Sequence, residues 1–329
     1  MDIDAKYRYD TVNPIEVNTA FITHTICFTE ISCALYLAIN IVTFLVGVLG
    51  NGLVVWIAGF EMKKTVNTTW HLGLAAFDFI FCAAYLPMKI LHITTNAWVS
   101  IVTCDLANAL LLITMFSTAF LLVLVGVDRC VLVVYPAWAQ NNRTAGKAVA
   151  MVTLAWVSSV ALSTRFAFID NQTRGLEMQA VSQFIGGFAM PFLVILVCLC
   201  VVIRRLGTRP TMMMIVSSKP LRVMNALIAT YFICWLPYHV ILLLYQNHKH
   251  YNREVLRAGH MLGELLAIAL GFLRPVLYVC MGNDVEPTLM RSVIYRIENA
   301  IGEDDEFSPT TSTSTTRTTS TSGGTSTHP

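Results

Sequence analysis

The sequence predicts an all-α membrane protein, a seven-transmembrane helix bundle followed by one amphipathic helix. Three observations carry that reading. Apolar residues fill 55% of the 329 positions and charged residues only 13%, against about 25% charged in a soluble domain. Long apolar stretches at 30–59, 68–95, 102–134, 147–168, 179–203, 221–245 and 258–281 each reach the roughly 20 residues that cross a 30 Å hydrocarbon core. None alternates with a period of two, and a backbone in lipid must satisfy its own hydrogen bonds, so the spans are helices.

Taken in order, residues 1–29 form a polar tail in which Tyr7 and Tyr9 lie beside Asp2, Asp4 and Asp10. That setting suits tyrosine sulfation, and it equally suits a plain solvated tail. MDIDAKYRYD lacks the basic start and apolar stretch of a cleavable signal, so the first span is expected to act as its own insertion anchor. The bundle occupies 30–281, and its orientation follows from basic residues in short loops. Lys63 and Lys64, then Arg143 and Lys147, then Arg204, Arg205, Arg209 and Lys219 follow spans one, three and five. The opposite loops hold Arg165, Arg174, Lys249 and Arg253. This bias puts the N-terminus outside and the C-terminus in the cytosol. Residues 282–300, with RSVIYR at 291–296, read as an amphipathic helix along the inner leaflet. Residues 301–329 read as a disordered Ser/Thr tail with an acidic run at 303–306.

Some function classes fall away at this point. The net charge of +2, without a basic–aromatic stripe, does not fit nucleic-acid binding. Most of the nine cysteines lie inside apolar runs, and neither CxxC nor HExxH occurs, so no metal site is expected. A secondary transporter would be built from internal repeats with broken helices, and no half-to-half similarity is visible.

The most informative stretch is FLLVLVGVDRCVLVVYPAW at 120–138, where Asp128 and Arg129 interrupt an otherwise apolar run. Charges at such depth cost about 2.5–3.5 kcal/mol each on insertion scales and are normally functional. DRC-x4-YPAWAQNNRT resembles the cytoplasmic end of the third helix of rhodopsin-like G-protein-coupled receptors. Matching motifs follow at the right depths. They are GN-x-x-V at 50–54, L-x-x-A-x-x-D at 72–78, Trp156, Pro191 after Gly186-Gly187-Phe188, and F-x-x-C-W-x-P-Y at Phe232–Tyr238. GVLGNGLVVWIAGFEMKKTVNTTWHLGLA, DRCVLVVYPAWAQNNRT and SSKPLRVMNALIATYFICWLPYH narrow the resemblance to the chemoattractant receptors. These are the formyl-peptide, chemerin, anaphylatoxin and second prostaglandin-D receptors, and the likeness covers about residues 40–300.

This resemblance implies a non-enzymatic plasma-membrane receptor that couples to a Gi-class G protein. Asp128, Arg129, Cys130 and Tyr278 would form the coupling end, with Asp128 holding Arg129 until activation. Receptor kinases acting on Ser308, Thr310, Thr311, Ser312 and Thr313 would add about −2 charge per phosphate and make an arrestin site; a plain solubilising tail is the alternative. Asn51 would tie helices one, two and seven. Asp78 normally holds a sodium ion, and Thr118 stands about three turns before Arg129 as its helper.

Helix seven departs from the family. Its N-P-x-x-Y reads Arg274-Pro275-Val276-Leu277-Tyr278, and Leu270 and Gly271 offer no sodium ligand. A buried guanidinium needs a carboxylate, so one expectation is an Asp78–Arg274 ion pair in the place of sodium, leaving no cofactor. The other is that Arg274 snorkels to water near Tyr278.

The outer end departs further. Cys104 holds the family's helix-three cysteine position, but the second extracellular loop, about 169–177, has no cysteine. Cys27 and Cys33 would sit beyond the roughly 5.5 Å Cα separation a disulfide needs, so Cys104 is expected to be free. Where formyl-peptide and prostaglandin receptors carry charged anchors, this chain has Gln179, Gln183 and Leu112. Trp235, Tyr238, His239, Lys89 and His92 complete an apolar pocket with a few basic groups, open to a small lipid acid, a peptide end or no ligand. Asn171 is a glycosylation sequon on the outer side. Retained inner motifs with eroded outer ones also fit a divergent arrestin-recruiting scavenger or a constitutively active receptor, as a virus-captured or duplicated copy would be. A decayed copy is a further reading.

Overall fold

The structure is a computed structural model, and it describes residues 30–94, 97–168, 175–207, 219–246, 250–281 and 289–301. Its helices are α1 (Glu30–Trp56), α2 (Val66–Thr94), α3 (Ala97–Val134), the short α4 (Pro136–Asn142), α5 (Ala145–Phe168), α6 (Gly175–Phe184), α7 (Met190–Gly207), α8 (Lys219–Tyr245), α9 (Arg253–Met281) and α10 (Leu289–Ile301). α1 ends in a π-turn at Ile57–Glu61, and a second π-turn, Ile185–Ala189, joins α6 and α7 into one span. Seven helices are long and apolar enough to cross a membrane.

α3 runs through the middle, packed against α2, α5, α7 and α8, while α1 closes the ring between α2 and α9. Lipid is as apolar as leucine, so close backbone approach and interhelical hydrogen bonds hold such a bundle together. Gly50 lets α1 approach α9, since a Cβ there would lie 2.7 Å from the Cβ of Pro275. Gly263 likewise brings α9 onto α8, where a Cβ would meet the Tyr238 backbone at 2.7 Å.

Prolines set the polar joints. A proline has no N–H, so it frees the carbonyl four residues before it. Pro191 frees that of Gly187, which accepts from the Tyr231 hydroxyl at 2.7 Å. Pro275 frees that of Gly271, which accepts from Asn51 Nδ2 at 2.7 Å. Asn51 also donates to Gly47 within its own helix, so its amide joins helix one to helix seven. Pro136 ends α3 by holding Tyr135 out of the helical region, at φ −128° and ψ 61°.

α10 adds a protein contact to the sequence reading. Its apolar stripe was expected to lie on a leaflet, but Ile297, Ala300 and Ile301 are buried in the protein core. The helix packs against α2, α8, α9 and the first π-turn. A stripe of this kind gains about 1.5–3 kcal/mol per fully buried isoleucine wherever it leaves water, and in this fold the nearest apolar surface belongs to the bundle.

Candidate functional site

Three polar groupings lie along the bundle axis. In the middle, Asp78 on α2, Thr118 on α3 and Arg274 on α9 are each at most 2% exposed. One Arg274 amino group, Nη1, donates to Asp78 Oδ2, and the other, Nη2, donates to Thr118 Oγ1 at 3.0 Å. Of the two expectations, the ion pair is the one present; Arg274 does not snorkel. The guanidinium occupies the face of Asp78 toward α3 and α9, and it neutralises a carboxylate that would otherwise be buried alone.

At the Arg129 end, the expected Asp128–Arg129 lock is replaced. Asp128 receives both arms of Arg143, Nε at 2.9 Å and Nη2 at 3.0 Å, whereas Arg129 donates to Asn67 Oδ1. Consecutive helix residues point about 100° apart and do not face each other. α4 meanwhile returns Arg143 to the side of α3 that carries Asp128. Asn67 in turn donates to the Ile301 carbonyl at 2.5 Å. Tyr278 is fully buried, with its hydroxyl 2.9 Å from His71 Nδ1. Cys130 is a half-buried free thiol nearby in sequence.

At the other end, sequence reasoning missed the central residue. Glu264 Oε1 is bonded by Lys89 Nζ at 2.7 Å, by the Tyr85 hydroxyl at 2.5 Å and by the Tyr36 hydroxyl at 3.3 Å. Lys89 also lies 5.2 Å from the centroid of the Tyr85 ring. The signal was available, because a lone carboxylate deep in an apolar run is the same cue that marked Asp128. The pocket expected to be apolar with a few basic groups gains a counter-charge here: a buried ammonium needs one, and Lys89 has it in Glu264. Beside this cluster, Trp235 and Tyr238 meet edge to face at 5.5 Å. His239 is buried among Phe184, Phe188 and Trp235. Leu112 and Gln183 are also buried, and Cys104 carries a free thiol. The side chains of His92 and Gln179 lie outside the described residues, as do Asn171 and Ser308, Thr310, Thr311, Ser312 and Thr313.

Seven packed apolar helices with a charged centre and an arginine at one mouth define a helical membrane receptor. Residues 50–278 match the family of 7 transmembrane receptors (rhodopsin family). Among curated relatives, N-formyl peptide receptor 3 of Pan troglodytes is 34% identical, with 85% of this chain and 89% of the relative covered. Formyl peptide receptor 2 of Mus musculus is 31% identical over 84% and 87%. Chemerin-like receptor 1 of Sus scrofa is 33% identical over 80% and 81%. The chain belongs to the rhodopsin family of G-protein-coupled receptors, and within it resembles the formyl peptide and chemerin-like receptors.

Proposed function

We propose that this chain is a plasma-membrane receptor whose Arg129 end faces the cytosol and couples to a Gi-class G protein. The observation that carries this reading is Arg129 itself. It stands at the mouth of the bundle and donates to the Asn67 amide oxygen, while the neighbouring carboxylate of Asp128 is taken up by Arg143. With Asp128 bonded to both arms of Arg143, an Asp128–Arg129 ion pair does not have to be broken when Arg129 turns to meet a G protein. The Ser/Thr tail supplies receptor kinases and arrestin with their substrate.

The internal Asp78–Arg274 pair supports a further element of this reading. A sodium ion at Asp78 would hold such a receptor inactive, and here an internal cation takes its place, so signalling is independent of sodium. The ligand is a small lipid acid or a peptide end. An acid directed at Lys89 has to displace Glu264, which favours a peptide carrying both signs of charge.

In cells expressing the intact chain, cAMP is expected to fall in a pertussis-toxin-sensitive way. Arg129→Ala at matched surface level should abolish that fall. Normal surface expression and internalisation without any G-protein signal would instead identify an arrestin-recruiting scavenger.

A further inference from the structure

We propose that α10 is an autoinhibitory helix, seated in the mouth of the bundle where a G protein's terminal helix would enter, and that coupling requires its release. The inference rests on the G-protein reading above and adds a regulator to it.

The sequence of α10 places Val293, Ile294, Ile297 and Ile301 along one stripe, at the i, i+4 and i, i+3 spacings that share a helix face. In the structure the C-terminal half of that stripe is inside the protein, with Ile297 1% exposed and Ala300 and Ile301 fully buried. The same core contains Val223, Met224 and Leu227, from the early turns of α8, and Val66 and Trp70 from the first turns of α2.

Its end is also fastened. The last carbonyls of a helix have no partner within it, and that of Ile301 is capped by Asn67 Nδ2. The other atom of the same amide, Oδ1, holds Arg129. One side chain therefore joins the inserted helix to the coupling arginine, and Arg129 cannot keep Asn67 and turn toward an entering G protein at once. Further along, Arg296 donates to the Val279 carbonyl of α9 at 3.4 Å.

The seat is releasable. Burial, and then the negative charge of Glu61 at the end of the first π-turn, push the Glu298 carboxyl above its usual range. Like charges thus oppose docking, and among the described side chains of α10 only Ile297, Ala300 and Ile301 are sealed from solvent.

The test uses the purified full-length chain in lipid nanodiscs with a purified Gi heterotrimer and reads GTPγS uptake. Ile297→Asp with Ile301→Asp places two charges in the apolar seat and expels the helix. If about nine-tenths of the wild-type chain is docked, the competent fraction and the exchange rate rise about tenfold on release. Adding Arg129→Ala should return exchange to background. Wild-type exchange equal to that of the double variant would overturn the inference and leave G-protein coupling standing. Failure of both to stimulate exchange would overturn the coupling reading instead. The docked geometry is then decided by spin labels introduced through unnatural amino acids at Tyr295 and Asn225. One short distance in the wild type that lengthens in the double variant upholds the seat, and a long wild-type distance overturns it.

Discussion

Replacing Arg274 with alanine is expected to destabilise the bundle by about 3–5 kcal/mol, because it leaves a buried carboxylate without a partner. Asp78 is sealed from solvent by α2, α3 and α9, and the Arg274 guanidinium is its only cationic partner among the described residues. Thr118 also loses the donor 3.0 Å from its hydroxyl. Folded membrane domains have little to spare against a loss of this size, so Arg274→Ala should be retained inside the cell and should melt well below the wild type. Asp78→Asn combined with Arg274→Asn removes both charges and leaves amides that can bond to each other. That double variant should be more stable than Arg274→Ala alone, since a buried ion pair itself adds little against a neutral replacement. Surface staining and thermal unfolding of the three purified proteins measure the difference. A single alanine variant as stable as the double would mean that Asp78 takes up a proton once its partner is removed.

Glu264→Ala is expected to be nearly as damaging, at about 3–5 kcal/mol, and for the opposite sign of charge. Its carboxylate gathers an ammonium and two phenolic hydroxyls onto one oxygen. Truncation leaves Lys89, whose side chain is 10% exposed, with its charge uncompensated. A second substitution, Lys89→Met, keeps the length and apolar stem of the lysine while removing the charge. It should recover most of the lost stability in the Glu264→Ala background, and in the wild-type background it should destabilise by stranding Glu264. A double-mutant cycle on thermal unfolding gives the coupling directly; additive effects would show that the two groups do not stabilise one another. The same cycle bears on ligand recognition, because a pocket anchored by a free Lys89 would lose binding and keep its fold.

The parts legible in the sequence were those governed by length and by the cost of charge in hydrocarbon. Seven spans stand out because lipid forbids long polar stretches. Asp78 and Arg274 could be matched across the bundle because each needed an opposite charge at the same depth. The same cost rule applies to Glu264, deep in the apolar run of α9, and it demands a partner such as Lys89.

Other features depend on geometry that residue spacing does not carry. Asp128 and Arg129 are neighbours in the chain yet diverge around the helix, and the partner of Asp128 comes from Arg143, beyond a proline break. The apolar stripe of α10 reads equally well as lipid-facing or protein-facing, and only the packing of α2, α8 and α9 decides between them. The π-turn at Ile185–Ala189 had only the Gly186-Gly187 pair and Pro191 to mark it.

The replacement of a bound cation by Arg274 is open to one direct measurement on the purified, ligand-free chain. Anything that binds the folded state and not the unfolded state raises its stability as its concentration rises. Thermal unfolding in sodium chloride and in potassium chloride at equal ionic strength should give the same midpoint at every concentration, because the guanidinium of Arg274 already fills the position beside Asp78. A sodium-specific rise in the midpoint that disappears in Asp78→Asn would contradict the account and return that carboxylate to the role of an ion site.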